Sequence, residues 1–292
     1  MKKFLVGGAV RDSLLGLPIS DRDFVVVGST EKNMIDDGFK RVGLDFPVFL
    51  DPINSEEHAL ARKEKKVGTG HSGFECEFDK SVTLENDLLR RDLTINAMAL
   101  DDDGSLVDPF GGKRDLEQRV LRHVSESFGD DPLRVLRTAR FAARFAHLGF
   151  TIDPTTLDLM KLMVAGSELN TLPPERVWKE IHTALLTEKP SVFFSVLRDC
   201  GALSVILPEV DALSGVPQTE EHHPEIDTFI HTLMAVDLAR SITNDTAVIF
   251  SALVHDLGKG LTDINLLPKH IGHEDSGVPL VKAVCARLKV PS

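Results

Sequence analysis

The sequence predicts an α+β protein in which a small mixed-sheet unit precedes a mostly helical remainder. Short β-rich runs alternate with helical segments up to about residue 125, whereas strand signals fade from Asp130 onward. Helical segments separated by Pro or Gly follow, and the polar stretch VPQTEEHHPEID marks a second boundary at about residue 220. We therefore predict three regions, residues 1–125, 126–220 and 221–292.

Length and composition indicate a globular protein of about two domains. The 292 residues are 42% hydrophobic and 27% charged, and no apolar run approaches the roughly 18 residues of a membrane span. The N-terminal MKKFLVGGAVRD is too short for the apolar core of a signal peptide, so we expect a cytosolic protein without a membrane partner. Cys76, Cys200 and Cys285 are far apart and odd in number, which predicts reduced thiols.

The net charge of −12 argues against broad, nonspecific binding of nucleic acid, because phosphate affinity comes from Lys and Arg. A local basic patch remains compatible with this charge. The position of the basic residues therefore matters more than their sum.

In the first region, the runs KKFLVGG, DFVVVG, FPVFLD and SLVDPF predict strands, and AVRDSLLG and EKNMIDDGF predict helices. Gly7 and Gly8 join the first strand to the first helix, where their backbone N–H groups can face an anion. Arg11 follows one turn later and is placed to supply charge to a triphosphate. The stretch matches neither a dinucleotide fingerprint nor a Walker A loop.

Asp21 and Asp23 lie two residues apart where the second strand begins, so both carboxylates are predicted to project from the same face. Two carboxylates held close together repel unless they share a proton or bind a cation, and Mg²⁺ fits such a pair best. A solvated turn is the alternative for an isolated Asp-x-Asp pair. The neighbouring glycine turn favours metal-assisted phosphoryl or nucleotidyl transfer.

Four segments carry a resemblance to a known family: GGAVRD, the DRD strand, ENDLLRRDLTINAMA and GDDPLRVLRTARFAARF. In this order they resemble the class II tRNA nucleotidyltransferases, the CCA-adding enzymes, and above all the bacterial multifunctional type with an HD domain. The resemblance implies a nucleotidyltransferase head, an all-α neck and body, and an HD domain. It also implies template-independent addition of C, C and A to the tRNA 3′ end from CTP and ATP, with release of pyrophosphate.

The resemblance assigns roles within the head. Gly8 and Arg11 are implied to hold the nucleotide phosphates, and Asp21 and Asp23 to hold the catalytic Mg²⁺ ions. In the motif formed by Arg90, Arg91 and Asp92, the nucleotide contact falls on Arg91, and Asn96 is implied to lie near the ribose. The alternative for ENDLLRRDLTINAMA is an exposed helix start whose apolar face is formed by Leu93, Ile95 and Met98.

A helix is predicted to begin at DDPLR, with Asp131 as the N-cap and Pro132 in the first helical position. Helical spacing places a basic stripe within about 120° of its circumference, formed by Arg134, Arg137, Arg140 and Arg144. Surface arginines are the alternative. The resemblance implies that Asp131 and Arg134 select the base and that Arg137 and Arg140 contact the nucleotide. The family often has Glu-Asp where this chain has Asp130 and Asp131, so no role is carried over to Asp130.

Two further segments match the family less specifically. Gly68, Gly70 and Gly73 lie in EKKVGTGHSGFECEF, which resembles the mobile loop of the family, although a hairpin tip explains it equally well. The segment LPPERVWKE resembles the body, where tRNA is expected to lie. Its candidates for RNA contact are Arg176, Trp178 and Lys179, but a capped helix with Trp178 packed inside is the favoured interpretation.

The last 70 residues carry a separate metal signal. His231 is followed by the pair His255 and Asp256 in HDLGKG, and later by His270 and His273. HD phosphohydrolases use such a His and His-Asp set to bind a divalent ion that activates water. The resemblance implies metal ligation by His231, His255 and Asp256, a metal such as Ni²⁺, and the phosphatase or cyclic phosphodiesterase activity of full-length relatives. The family's distal Asp ligand is expected beyond Ser292, so we predict a C-terminally truncated HD domain.

Alternative functions stay open on the sequence alone. A poly(A) polymerase shares the head motifs, although a chain without a basic tail favours tRNA repair. An inactive RNA-binding head beside an active HD domain is disfavoured by the intact motif residues Asp21, Asp23, Arg91 and Arg137. Nucleotide transfer to a small molecule is disfavoured by the long helical region. The partners that we expect are tRNA, ATP and CTP, and the protein is compatible with a monomer or a homodimer.

Overall fold

The computed structural model describes residues 1–43, 47–66, 74–221 and 223–291. The chain forms two compact units, Met1–Asp131 and Pro132–Ser292. The boundary expected near residue 220 falls inside the second unit. The loop glycines at positions 68, 70 and 73 lie outside the described residues, so the loop interpretation stays a prediction.

The first unit contains a mixed sheet, which confirms the predicted α+β class. Its strands are β1 Lys2–Val6, β2 Asp23–Val27, β3 Lys40–Val42, β4 Val48–Leu50, β5 Glu57–Leu60, β6 Lys63–Lys66, β7 Phe74–Glu77, β8 Ala99–Leu100, β9 Leu106–Val107 and β10 Val120–Leu121. Its helices are α1 Gly8–Leu14, α2 Glu31–Asp36, α3 Leu84–Leu89 and α4 Gly112–Gln118. Within the described ranges, seven strands form one sheet in the order β3-β4-β5-β2-β1-β8-β9.

The central strand β2 is antiparallel to β1 and parallel to β5. Its consecutive residues Val25 and Val26 are both buried and belong to two different apolar clusters. One cluster contains Val6 and Leu88, and the other contains Phe49. Since neighbouring side chains of a strand point to opposite faces, the sheet is covered by apolar side chains on both sides.

The segment after α3 does not continue as an exposed helix. The helix ends at Leu89, and a single 3₁₀ turn covers Thr94–Asn96. Leu93, Ile95 and Met98 are fully buried. The apolar residues therefore belong to the core of the first unit rather than to one face of a surface helix.

The second unit is almost entirely helical, as predicted. It comprises α5 Leu133–Arg144, β11 Thr151–Ile152, α6 Pro154–Ala165, α7 Pro174–Leu185, α8 Ser191–Asp199, α9 Leu203–Ile206, α10 Pro208–Asp211, α11 Thr228–Ile242, α12 Thr246–Val254 and α13 His273–Leu288. Helix α5 packs against α7 and α8, and α11 packs against α12. Among the described residues, no helix is both long and apolar enough to span a bilayer.

Aspartate caps define where several of these helices begin. The carboxylate of Asp153 accepts from the N–H of Thr155 at the start of α6, and Asp227 accepts from Ile230 at the start of α11. Asp245 caps α12 in the same way. Each side chain satisfies a backbone N–H that has no partner inside the helix, which accounts for the sharp helix starts.

The region after residue 220 is bound to the preceding helices by polar contacts. Asp237 of α11 accepts from both the N–H and the hydroxyl of Ser191 at the start of α8, over 2.9 and 2.7 Å. Arg287 of α13 donates to both carboxylate oxygens of Glu209. These contacts explain why residues 132–292 form a single unit.

Candidate active site and candidate metal centre

A left-handed glycine links β1 to α1. Gly7 has φ +67°, and its N–H donates to the carbonyl of Met98 over 3.3 Å. A Cβ at Gly7 would lie only 2.9 Å from Nη1 of Arg91, so the backbone favours glycine, and a side chain at this position would displace the guanidinium. Gly8 opens α1, and Nη2 of Arg11 lies 3.5 Å from the position of its absent Cβ.

The predicted carboxylate pair lies where β2 begins. Asp23 is the first residue of β2 and pairs with Val6 of β1, whereas Asp21 precedes the strand, and both are solvent-exposed. The pKa of Asp23 is nevertheless raised because surrounding protein atoms displace water; Arg91 opposes this shift, and the carboxylate of Asp21 adds to it. A divalent cation relieves such crowding of negative charge, so these oxygen donors fit a metal like Mg²⁺.

A third carboxylate, which no sequence motif singles out, stands beside this pair. Glu57 begins β5 and lies directly opposite Asp23 in the parallel β2–β5 register. Residues opposite each other in a sheet project from the same face, so both carboxylates share one face. Nothing local distinguishes Glu57 from Glu56. Only the pairing of two strands that are distant in the sequence identifies it.

Arg91 is held in place by a buried acid. Its Nη2 donates to Asp87 over 3.2 Å, and its Nη1 donates to the carbonyl of Asn96 over 3.3 Å. Asp87 also accepts from Nη2 of Arg90 over 2.6 Å. Burial alone would raise the pKa of Asp87, but the two guanidinium groups lower it. The charged Asp87 therefore holds Arg91 close enough to Asp23 to lower the pKa of that carboxyl.

Arg11, Asp92 and Asn96 belong to one buried network. Nε of Arg11 donates to Asp12 over 2.8 Å, and its Nη1 donates to the side-chain oxygen of Asn96. The amide of Asn96 in turn donates to Asp92 over 2.8 Å. Arg11 is only 3% exposed. The phosphate role of Arg11 and the ribose role of Asn96 stay predictions, since here their side chains bind each other.

The basic stripe of α5 is partly buried. Arg134 is 9% exposed, and the other three arginines of the stripe are half-buried. Nε of Arg140 donates to the buried carboxylate of Glu180 on α7 over 2.5 Å. The guanidinium of Arg140 also lies 4.5 Å from the ring centre of Phe141. Arg134 and Arg140 therefore differ from fully exposed surface arginines, which were the alternative for this stripe.

The helix that carries this stripe begins one residue later than its predicted first position. Asp131 has an extended backbone with φ −116° and ψ 108°, Pro132 is helical in its dihedral angles, and α5 is assigned from Leu133. Definitions of a helix end commonly differ by one or two residues, so this shift is small. Asp131 closes the first unit, whereas Arg134 belongs to the second.

The candidate RNA contacts on α7 differ in exposure. Lys179 is exposed, and Arg176 is half-buried. Trp178 is also half-buried, and its ring packs edge-on against Phe250 of α12 with a centroid distance of 5.2 Å. Trp178 thus has a packing partner within the second unit.

The three predicted HD ligands come together in the second unit. The donor atoms of His231, His255 and Asp256 all lie within 4.8 Å of one another. Nε2 of His255 is 3.1 Å from Oδ2 of Asp256, and Nε2 of His231 is 3.7 Å from the same oxygen. Burial opposes ionisation of Asp256, but His255 and Lys259 lower its pKa. Two imidazoles and an ionised carboxylate suit a divalent transition-metal ion.

Two side chains without a predicted role support this centre. Lys259 is only 6% exposed, and its Nζ lies 2.7 Å from Oδ2 of Asp256 and donates to Gln218 over 2.6 Å. Glu225 lies 2.6 Å from Nδ1 of His231 through its Oε1. Lys259 lies in the motif HDLGKG, and Glu225 lies in HHPEID. The sequence therefore places both residues near the predicted ligands but does not show that they contact Asp256 and His231.

Three protein-family models match separate segments of the chain. Residues 3–122 match the poly A polymerase head domain. Residues 149–213 match the model described as "Probable RNA and SrmB- binding site of polymerase A", and residues 228–290 match the HD domain.

Comparison with known proteins identifies relatives along the whole chain. A multifunctional CCA protein of Vibrio campbellii is 59% identical over 292 residues, which cover all of this chain and 72% of that protein. A crystal structure of a tRNA nucleotidyltransferase complexed with a primer tRNA and an incoming ATP analog is 27% identical, with a TM-score of 0.64, over all of this chain and 77% of that one. The Thermotoga maritima CCA-adding enzyme complexed with tRNA is 26% identical, with a TM-score of 0.59, over all of this chain and 72% of that one. The chain therefore belongs to the multifunctional CCA proteins, a family of tRNA nucleotidyltransferases that joins a poly A polymerase head to an HD domain.

Proposed function

We propose that this chain adds C, C and A to the 3′ end of tRNA from CTP and ATP, and that the carboxylates of Asp21 and Asp23 carry the reaction. The observation that supports this most directly is their position beside the Gly7 turn, where Arg91 and Asp21 both influence the pKa of Asp23. Family membership favours CCA addition over polyadenylation. A tRNA substrate supports a cytosolic location, which we include in the proposal.

The proposed reaction is an in-line displacement. The tRNA 3′-hydroxyl oxygen loses its proton to solvent and forms a bond to the α-phosphorus of the incoming nucleotide, and the bond to the leaving pyrophosphate breaks. Mg²⁺ held at this site would supply charge that stabilises the pyrophosphate and lowers the pKa of the attacking hydroxyl. Asp21 and Asp23 would hold this ion, with Glu57 as a third carboxylate on the same face.

The surrounding residues position the nucleotide in this proposal. Arg91, fixed by Asp87, offers its charge to the phosphates, and the Gly7–Gly8 turn offers backbone N–H groups. We assign to Arg11 the charge that answers the phosphates, and its hydrogen bond to Asn96 supports a role of Asn96 near the ribose. Because Arg11 is buried, its charge reaches the Gly7–Gly8 turn from the protein interior rather than from the solvent side.

Base selection is assigned to the start of α5. The guanidinium of Arg134 and the carboxylate of Asp131 offer donors and acceptors to the edge of the base, which is how a side-chain pair can replace a template. Arg137 and Arg140 contact the nucleotide, and Glu180 holds Arg140 in position. We accordingly assign catalysis to residues 1–125, selection and tRNA binding to residues 126–220, and the HD centre to residues 221–292.

The test is extension of tRNA that lacks its CCA end, with CTP and ATP supplied separately and together. We expect growth to stop after C, C and A; continued growth with ATP alone would identify a poly(A) polymerase instead. Replacement of both Asp21 and Asp23 by Ala should abolish addition while tRNA binding persists. Unchanged addition would overturn the metal assignment.

We also propose that the second unit binds a divalent cation such as Ni²⁺ through His231, His255 and Asp256, as a phosphohydrolase centre. The convergence of their donor atoms within 4.8 Å supports this assignment. Equilibrium dialysis of the whole chain against Ni²⁺, followed by metal analysis, tests it. Binding that survives replacement of His255 and Asp256 together would place the ion elsewhere.

A further inference from the structure

The carboxylate of Asp256 faces an additional histidine on its other side. His273, the first residue of α13, places Nε2 3.3 Å from Oδ1 of Asp256. His231 and His255 approach Oδ2 instead. Among the residues that the structure describes, three imidazole rings therefore converge on one carboxylate that is 3% exposed.

The protonation of these rings follows from what lies at their other nitrogen. Nδ1 of His255 is 2.8 Å from the carbonyl oxygen of Ala252, and Nδ1 of His273 is 2.6 Å from the carbonyl oxygen of His270. A carbonyl oxygen only accepts, so each Nδ1 must carry the proton. In a neutral imidazole, Nε2 then presents a lone pair, and in His273 that nitrogen faces Asp256.

His231 follows the same rule through a side chain. Its Nδ1 lies 2.6 Å from Oε1 of Glu225, so its Nε2 is also left facing the carboxylate. A histidine whose far nitrogen is held by a carbonyl or carboxylate is the usual arrangement of a metal ligand. His231, His255 and His273 all show it.

Lone pairs that face a carboxylate repel it unless a proton or a cation lies between them. Oδ2 of Asp256 already has the ammonium of Lys259 at 2.7 Å, although neither this contact nor that with His255 has the alignment of a hydrogen bond. Oδ1 instead faces His273. A cation bound between Nε2 of His273 and Oδ1 would remove the repulsion on that side.

The backbone is built to bring His273 to this position. The turn Leu257–Leu261 packs directly on the first turn of α13. A Cβ at Gly258 would lie 1.9 Å from the carbonyl oxygen of His273 and 2.7 Å from the backbone nitrogen of Gly277. Only two glycines in contact permit this approach, and the approach fixes His273 beside Asp256.

Neighbouring His270 shows what a structural histidine looks like in the same region. Its Nδ1 is 2.7 Å from the hydroxyl of Thr262, and its Nε2 is 2.9 Å from the carbonyl of Pro217. Both nitrogens are satisfied, and no lone pair remains for a cation. The contrast separates His273 from His270, which the sequence could not do.

We propose that His273 is a further ligand of the cation centre in the second unit, acting with Oδ1 of Asp256. This inference rests on the cation centre proposed above for His231, His255 and Asp256. It adds a ligand on the Oδ1 side of Asp256, and that ligand comes from α13.

Isothermal titration of the whole chain with Ni²⁺ tests the proposal. We expect His273→Ala to weaken Ni²⁺ binding at least about 10-fold, the scale found for groups that shape a metal site. His147→Ala is the control, because His147 is an exposed residue whose Nδ1 lies 3.4 Å from the carboxylate of Glu188. Binding of Ni²⁺ by H273A with wild-type affinity and stoichiometry would overturn the proposal, whereas no binding by the wild-type chain would instead overturn the centre itself.

A measurement on the unmodified chain covers the case in which H273A does not fold. Titration of histidine-labelled protein with Zn²⁺, followed by ¹⁵N NMR, should shift Nε2 of His273 together with Nε2 of His255. His270 should not shift. If Nε2 of His255 responds to Zn²⁺ and Nε2 of His273 does not, His273 is not a ligand.

Discussion

Gly7 leaves room for the guanidinium of Arg91: a Cβ at this position would lie 2.9 Å from Nη1. The glycine turn and the RRD motif, which are more than eighty residues apart in the sequence, therefore meet at one point of the head. This contact joins the turn to the carboxylate pair, because Arg91 also lowers the pKa of Asp23 against the larger effect of desolvation.

Replacing Gly7 by Ala should impair nucleotide addition more than folding strain alone explains. The variant meets both a positive φ of +67° and the guanidinium of Arg91. Gly16→Ala is a matched control, since Gly16 has φ +68° but nothing within 4 Å of its Cβ position. We expect each variant to lose about 1 kcal/mol of unfolding free energy to backbone strain, measured in urea, with a further loss for G7A. Equal CTP incorporation by the two variants would show that crowding of Arg91 does not matter.

Replacing Asp87 by Asn should release Arg91 and destabilise the head. Asp87 is fully buried and accepts from two arginines, so removal of its charge weakens its contacts with both guanidinium groups. Loss of one member of a buried ion pair typically costs about 3–5 kcal/mol, and we expect an effect of that order in chemical denaturation. Glu85→Gln, an exposed position on the same helix, is the control and should be near neutral.

Asp87 also predicts a dependence of stability on pH. Its pKa in the folded head is lowered from 3.8, so the stability it contributes is present above that value and is lost as the pH falls through the lowered pKa. Unfolding of the wild-type chain between pH 6 and about 2 should therefore show a loss that D87N lacks. Parallel curves for the two proteins would contradict the assigned role of Asp87.

Replacing Glu57 by Gln should slow nucleotide addition without weakening tRNA binding. Glu57 stands opposite Asp23 across the β2–β5 pair, on the face that carries the carboxylates. We expect a fall in the rate of CTP addition of about 10²-fold, the scale for removal of one preorganised electrostatic group. Glu56→Gln is the matched control in the neighbouring position. Equal rates of CTP addition by E57Q and E56Q in single-turnover experiments would show that Glu57 has no role at the active site.

Replacing Gly258 by Ala should disrupt the second unit locally. The new Cβ would lie 1.9 Å from a backbone oxygen of α13, which cannot move aside like a side chain. Overpacking of this kind costs about 1–3 kcal/mol, and separation of α13 should also weaken Ni²⁺ binding. Gly166→Ala is the control, because its Cβ would make only ordinary contacts at 3.5 and 3.6 Å. A melting temperature of G258A equal to that of G166A would show that the helix contact tolerates a side chain.

Strands and helices with strong local patterns were predictable, and weakly patterned ones were not. The runs at β1, β2, β4 and β9 and the main helices of the second unit follow from apolar periodicity with Pro and Gly boundaries. Strands β3, β5 and β8 span only two to four residues and were not predicted. Strands β4 and β9 are as short but lie in the apolar runs FPVFLD and SLVDPF, whereas β3 and β5 contain charged residues and depend on the hydrogen-bond partners that the sheet supplies.

The same division holds for the sites. Asp21, Asp23, His255 and Asp256 stand in short motifs whose residue types by themselves point to metal chemistry. Glu57 lies in no quoted motif, and the segment that contains Asp87 does not single it out. Their positions depend on strand register and on burial, which arise only when distant segments meet.

The sequence by itself determined the family, the α+β class and the residue types of both candidate centres, because local motifs keep their order and spacing along the chain. The tertiary structure alone decided that Arg91 lies against Gly7, that Glu57 faces Asp23 and that His273 rather than His270 faces Asp256. Each of these is a contact between segments that are separated along the chain. Side-chain direction and hydrogen-bond partners are set by packing, so no single segment contains the information.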